Sequence, residues 1–224
     1  MYRPDHFEEI RPEVLRDLIR RHPLATLVVL GANGLEANHI PLYLSSATEG
    51  ALGVLRGHVA RANPVWRDIM LPNTNTNTEV LAIFHGPQSY ISPSWYVTKA
   101  ETGKVVPTWN YAVVHAYGPL QVKDDPEWVR EQIVALTRQQ ENGFAAPWRL
   151  ADAPQEFTER LIQQVVGIEI PIYRWVGKWK VSQNQPIRNR DSVIAQLEQQ
   201  GRPGSDEMAE LIRATCKEGR EELP

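Results

Sequence analysis

The sequence is poor in cysteine and has no long apolar run. Cys216 is the single cysteine in 224 residues, which excludes an internal disulfide framework. No apolar stretch is long enough to span a bilayer, and the N-terminus lacks the apolar segment of a secretion signal. These absences predict a cytoplasmic protein without membrane contact, with one well-buried core and a smaller appendage.

Charge and chemical motifs narrow the function classes further. The formal net charge is −3, whereas nucleic-acid-binding proteins usually carry a basic footprint, so DNA binding is possible but not supported by charge. The six histidines show no ligand spacing and there is no cysteine pair, so no metal site is predicted. Nucleophile elbows, phosphate-binding lysine loops and dinucleotide fingerprints are also missing, and no catalytic residue is predicted.

Hydrophobic periodicity predicts a mainly β fold with added helices. A helix is predicted over residues 12–22, with Pro12 at its first position, and another from Pro126 to about Gln140 behind an acidic cap. About six strands, mostly connected as hairpins, indicate an antiparallel barrel with helices outside it. A turn is expected at residues 31–34, a polar loop at 72–78, and polar helices at 191–200 and 205–219.

The motif GHVARANP at residues 57–64 is typical of an anion site. A strand is predicted to end at Gly57 and a helix to begin near Val59, which would offer free backbone N–H groups to a phosphate. Arg61 would add a two-pronged guanidinium donor. The alternative is an ordinary capped helix with a surface arginine.

Three further segments mix aromatic and polar side chains. The segments VPTWNY at residues 106–111 and YISPSWY at 90–96 could wall a flat ligand, or form a buried polar cluster and a dimer contact, respectively. Pro41 predicts a strand edge or a bulge. His39, two positions earlier, could form a hydrogen bond to a ligand or serve a structural role. The segment KWKVSQN at 178–184 is interpreted as a solvated strand end.

These motifs together resemble the PaiB family of FMN-binding negative transcriptional regulators. The resemblance extends from the N-terminus to residue 184, and it also includes NHIPL at 38–42 and FHGP at 84–87. It implies a six-stranded antiparallel split β-barrel with peripheral helices, a homodimer, and FMN at the subunit interface. Residues 1–190 would form the FMN-binding domain and residues 191–224 a C-terminal helical extension.

The resemblance also implies where FMN would lie. Arg61 and its turn would take the phosphate, while residues 108–110 and 90–96 would line the ring or the ribityl chain. The predicted cofactor-binding residues are His39, Pro41, His58, Arg61, Asn63, Tyr90, Trp95, Thr108, Trp109 and Asn110.

Three functions remain open at the level of sequence. The first is a flavin-dependent redox or ligand sensor that represses transcription, and the second is an FMN-dependent oxidoreductase acting on a small molecule. The third is a protein that does not use flavin, either a non-enzymatic transcriptional regulator or a binder of haem or another planar ligand. The intact 57–64 segment favours FMN, because haem requires an axial histidine or cysteine rather than a phosphate cradle.

Overall fold

The computed structural model describes residues 1–31, 34–45, 52–70 and 79–221. Two predictions fall on the remaining residues: the turn at 31–34 lies partly outside the described chain, and the loop at 72–78 lies wholly outside it. No described helix is long and apolar enough to cross a membrane.

Seven α-helices and ten strands form within the described residues, besides three short 3₁₀ helices. The helices are α1 (Pro12–Arg21), α2 (Val65–Met70), α3 (Lys99–Thr102), α4 (Pro126–Glu141), α5 (Gln155–Ile162), α6 (Ile187–Gln200) and α7 (Ser205–Glu221). The strands are β1 (Glu8–Glu9), β2 (Leu24–Gly31), β3 (Gly34–Pro41), β4 (Tyr43–Ser45), β5 (Val54–Ala60), β6 (Glu79–Ile91), β7 (Thr108–Pro119), β8 (Gln121–Lys123), β9 (Val165–Pro171) and β10 (Arg174–Lys180).

The strands build two sheets. Their orders are β1-β10-β7-β6-β2-β3 and β4-β5-β9-β8, and neither closes into a barrel within the described residues. Ten strands form where about six were expected, because a four-stranded sheet accompanies the six-stranded one. One reason is that the return strand expected at 35–44 divides into β3 and β4, which belong to different sheets. The edge position predicted from Pro41 is confirmed, since β3 ends the six-stranded order.

The chain divides into two compact units. Unit 1 contains Met1–Arg11, His85–Val114 and Val176–Pro224, and unit 2 contains Pro12–Phe84 and His115–Trp175. In unit 1 the fully buried side chains include Leu197, Met208 and Ile212 on α6 and α7. In unit 2 the predicted helix α1 is confirmed, and its stripe of Leu15, Leu18 and Ile19 is buried. The domain limit at residue 190 stays a prediction.

The helix predicted to begin near Val59 is wrong. Strand β5 continues to Ala60, because it pairs with β9 as far as the Ala60–Val165 partners, and α2 begins only at Val65. Gly57 lies inside this strand, where a Cβ atom would overlap the Leu42 side chain and the Pro41 carbonyl oxygen. Its role is therefore close packing rather than strand termination.

Candidate functional site

The ten residues predicted to bind a cofactor divide between the two units. Five lie in unit 2 and five in unit 1, so each group is described within its own unit. The unit 2 group is His39, Pro41, His58, Arg61 and Asn63, and the unit 1 group is Tyr90, Trp95, Thr108, Trp109 and Asn110.

Arg61 is engaged by acceptors of its own chain. Its Nη2 and Nη1 atoms donate to the Asp124 carboxylate at 2.6 and 3.1 Å, and its Nε donates to the Gln163 carbonyl oxygen at 2.8 Å. A further bond of 3.1 Å reaches the Val165 carbonyl oxygen. The hydrogen bond between the two charged groups raises the pKa of Arg61 and lowers the pKa of Asp124. A phosphate at Arg61 would have to compete with this carboxylate.

The neighbours of Arg61 form a hydrogen-bonded turn. Asn63 donates from Nδ2 to Asn38 Oδ1 at 2.8 Å and accepts from the Val65 backbone N–H at 3.0 Å. His58 Nδ1 lies 2.7 Å from Oε1 of Gln132, which is 1% exposed. The Nε2 atom of Gln132 has no hydrogen-bond partner among the described residues. The turn is thus fixed, and one buried amide donor remains unused beside His58.

His39 and Pro41 lie on the exposed side of the edge strand β3. His39 Nδ1 is 3.2 Å from the Thr26 hydroxyl, its cross-strand partner on β2. Both His39 and Pro41 are exposed. Unit 2 by itself therefore does not enclose a ligand at these two residues.

Unit 1 contains a polar cavity of about 340 Å³. Thr108 and Asn110, predicted from the sequence, line it together with residues that follow β10. Sequence reasoning missed Lys180, Ser182 and Asn189 as site residues, although the first two stand in the quoted 178–184 segment. The available signal for Lys180 and Ser182 was the pair of lysines on either side of Trp179 in this segment, whereas no signal in the sequence indicated Asn189.

Lys180 brings a positive charge into this cavity. Its Nζ donates to the Thr108 hydroxyl and, at 2.8 Å, to the Trp109 carbonyl oxygen. Burial, and then the charge of Lys178, lower the pKa of Lys180. No carboxylate forms an ion pair with Lys180 within the described part of the chain. The predicted solvated strand end is wrong, since Lys180 is half-buried and Lys178 is 7% exposed.

A buried hydrogen-bond network supports the cavity. Asn110 donates to the Ser182 hydroxyl at 2.8 Å, and Asn189 donates to the Thr98 hydroxyl at 2.9 Å. Ser182 has a φ of 66°, a left-handed conformation that is unfavourable for a residue with a Cβ atom. The N-terminus of α6 also borders the cavity through Pro186, and no side chain caps it. The positive end of α6 adds to the charge of Lys180.

Aromatic residues of unit 1 lie on its exposed surface. The rings of Tyr90 and Trp109 meet edge to face with centroids 6.1 Å apart, and they are 46% and 54% exposed. Trp95 is half-buried in a short 3₁₀ helix, Pro93–Trp95. Exposed ring faces of this size are typical of contact surfaces for flat ligands or proteins.

The donor set of the unit 1 cavity fits an anionic ligand with a hydrogen-bonding edge. Its lining carries two ammonium groups, on Lys104 and Lys180, together with several hydroxyls and amides. The Arg61 turn, in contrast, offers a cation already paired with Asp124. No group of three or more His, Cys, Asp or Glu side chains within the described ranges could hold a metal ion. These features agree with the chemistry of FMN, which carries a phosphate and an imide edge.

Comparison with known proteins supports this chemistry. The profile of the family described as "Putative FMN-binding domain" matches residues 1–174. A protein of Emericella nidulans is 36% identical over 234 residues, which cover 92% of this chain and 93% of the relative. The Bacillus subtilis "Protease synthase and sporulation protein PAI 2" is 28% identical over 217 residues, which cover 97% of this chain and 99% of the relative.

A solved structure shows the same fold. The FAD and heme binding protein from Mycobacterium smegmatis superposes with a TM-score of 0.54 at 15% identity, covering 84% of this chain and 79% of that protein. Such a likeness bears on the fold alone, and it confirms the predicted class of a mainly antiparallel split-barrel fold with helices. The chain belongs to the FMN-binding domain family, which confirms the predicted resemblance to the PaiB family and the predicted FMN cofactor.

Proposed function

We propose that this protein is a flavin-dependent redox or ligand sensor of the PaiB type that acts as a negative transcriptional regulator. The observation that carries the flavin site is Lys180, a half-buried cation without a carboxylate partner in the polar cavity of unit 1. When bound, FMN supplies the electron chemistry, and the surrounding protein tunes it.

In this proposal the unit 1 cavity holds the charged end of FMN. The ammonium of Lys180 and the uncapped start of α6 stabilise the phosphate, and the hydroxyl of Thr108 holds Lys180 in place. The exposed faces of Tyr90 and Trp109 offer flat surfaces to the ring. The contacts predicted at His39, Pro41, His58, Asn63 and Trp95 remain predictions.

The phosphate position proposed here differs from the one expected at Arg61. Asp124 already pairs with Arg61 at 2.6 Å, so a dianionic phosphate there would meet a carboxylate. Lys180 has no such competitor within the described residues. The two phosphate positions therefore lead to opposite expectations for FMN binding when either Lys180 or Arg61 is removed.

The experiment compares FMN with riboflavin, which lacks the phosphate. Lys180→Met is expected to weaken FMN binding by about 1.5–3 kcal/mol, the value of a charge-assisted hydrogen bond, and to leave riboflavin binding nearly unchanged. Arg61→Ala is expected to weaken the binding of FMN and of riboflavin equally, and by less than Lys180→Met weakens the binding of FMN. If Arg61→Ala abolishes the preference for FMN and Lys180→Met does not, the phosphate lies at the 58–63 turn.

The regulatory role is supported by similarity to the Bacillus protein, whose name refers to protease synthesis and sporulation. A net charge of −3 gives no support to direct DNA binding, so the sensor would act through a cytoplasmic homodimer and its partners. The test is to compare transcripts in host cells with and without the gene. Unchanged transcripts under oxidising and reducing growth would contradict the regulator role.

Two alternatives are kept because specific observations favour them. The open polar cavity could admit a small-molecule substrate, which would make the protein an FMN-dependent oxidoreductase. A binder of haem or another planar ligand is the other alternative, and the exposed rings of Tyr90 and Trp109 would offer it flat surfaces. Visible absorbance after loading and desalting separates flavin from haem, and reoxidation of the reduced flavin by candidate substrates tests for an enzyme.

A further inference from the structure

A second cavity, of about 460 Å³, lies in unit 2 beside α4. Helix α4 packs against β5 and β9, and it buries Val129 and Gln132. Val134, Arg138 and Glu141 line the cavity from another part of the same helix. Residues 147–151 line it as well, after the chain has reversed at the end of α4.

Hydrogen bonds hold the segment that forms the second wall. The Trp148 backbone N–H donates to Glu141 Oε2 at 2.8 Å, so the end of α4 is tied to the returning chain. The Arg149 N–H donates to Asp152 Oδ2 at 2.8 Å, and the Asp152 N–H returns a bond of 2.9 Å to the Arg149 carbonyl oxygen. The cavity is therefore built between two hydrogen-bonded walls.

The lining combines apolar surface with unpaired positive charge. Val134 and Trp148 are 45% and 44% exposed, and both add apolar surface to the lining. Arg138 and Arg149 also line it, and neither forms an ion pair with a carboxylate among the described residues. Glu141 accepts from the Trp148 N–H, so it serves as part of the wall.

We propose that this cavity binds a small aromatic carboxylate. A volume of about 460 Å³ is in the range of small-molecule sites, and Trp148 brings to the lining an indole ring, a side chain that pairs with aromatic ligands. Arg138 and Arg149 supply the planar donors that match a carboxylate. The inference goes beyond the flavin proposal and does not depend on it, since no residue of the Lys180 cavity lines this one.

The first test uses the unmodified full-length protein and two probes of the same shape. Calorimetric titration with 1-naphthoate is expected to show saturable binding of one molecule per chain. The neutral 1-naphthamide is expected to bind at least about tenfold more weakly, because it lacks the charge that the arginines recognise. Saturating FMN should leave naphthoate binding unchanged, and competition by FMN would overturn the claim of a separate site.

The second test removes the charges one at a time. Arg138→Gln and Arg149→Gln should each weaken naphthoate binding about tenfold and leave naphthamide binding unchanged. Arg130→Gln is the matched control, since Arg130 is on the same helix near Glu127 and does not line the cavity. Equal affinity in all three variants, or no saturable binding of naphthoate, would overturn the proposal.

Discussion

The Asn110 side-chain amide donates a 2.8 Å hydrogen bond to the hydroxyl of Ser182, and the two residues are 1% and 2% exposed. This bond joins the start of β7 to the segment that follows β10. Both residues line the polar cavity of unit 1. The geometry of this cavity therefore depends on a buried polar pair and not on apolar packing alone.

Replacing Asn110 by alanine should destabilise the protein by about 1–3 kcal/mol, because the Ser182 hydroxyl would lose its buried donor. Urea unfolding monitored by circular dichroism measures the change. Asn184→Ala is the matched control, since Asn184 is an exposed amide that lines the same cavity. Equal losses in the two variants would contradict the importance of the buried bond.

The left-handed backbone at Ser182 can be isolated by comparing two substitutions. Ser182→Ala and Ser182→Gly both remove the hydroxyl, but only glycine adopts a φ of 66° without a steric cost. The glycine variant should therefore be the more stable of the two by about 1 kcal/mol in urea unfolding. An alanine variant as stable as the glycine variant would show that the conformation is relaxed.

Flavin affinity should depend on pH through Lys180. Burial lowers the pKa of Lys180 below its ordinary value of 10.5, so its positive charge is lost earlier than in a free lysine as the pH rises. FMN binding, measured by quenching of flavin fluorescence, should weaken as the pH rises through the lowered pKa of Lys180. Lys180→Met should remove this component of the pH dependence, and Lys180→Arg should retain affinity to higher pH. A Lys180→Met profile parallel to that of the parent would place the titrating group elsewhere.

The ion pair of Arg61 and Asp124 should make the free energy of unfolding depend on pH. Its contribution should be lost as the pH falls, whereas the contribution of Lys180 to flavin affinity is lost as the pH rises. The hydrogen bond from Arg61 lowers the pKa of Asp124, so its contribution is present above the ordinary carboxyl pKa and is lost as pH falls through the folded-state value. Asp124→Asn should lower the free energy of unfolding by about 0.5–1 kcal/mol at neutral pH, a small loss because the ion pair is partly exposed.

The parent and Asp124→Asn should converge in stability in strongly acidic solution, where the carboxylate is protonated. Asp17→Asn is a suitable control, since Asp17 pairs with Arg21 on the exposed side of α1 and lacks the carbonyl contacts that fix Arg61. A constant difference between parent and Asp124→Asn at every pH would rule out the ion pair as its source.

Local sequence signals predicted the elements whose causes are local. Helix α4 begins at Pro126 because Asp125 accepts from the Glu127 N–H at 3.0 Å, a cap visible in the sequence. Strand β5 extends past Gly57 because it pairs with β9, and that partner lies about a hundred residues further along the chain. No local pattern contains such information.

The candidate site was predicted in part for the same reason. The aromatic and amide composition of residues 106–111 indicated Thr108 and Asn110, which do line a cavity. Lys180 brings a positive charge into the same cavity, and its contact with Thr108 joins residues that are 72 positions apart in the sequence. The pairing of Arg61 with Asp124 was equally invisible, because it spans 63 positions.

The acceptors of Arg61 also bear on the order of events during folding. The guanidinium bonds groups that lie 63, 102 and 104 positions further along the chain. During synthesis from the N-terminus, the turn at 58–63 is made long before its partners at Gln163 and Val165 exist. Contacts of such long sequence separation carry a high closure entropy and form late. The side-chain contacts of Arg61 are therefore expected to be among the last that the 57–64 segment makes in the nascent chain.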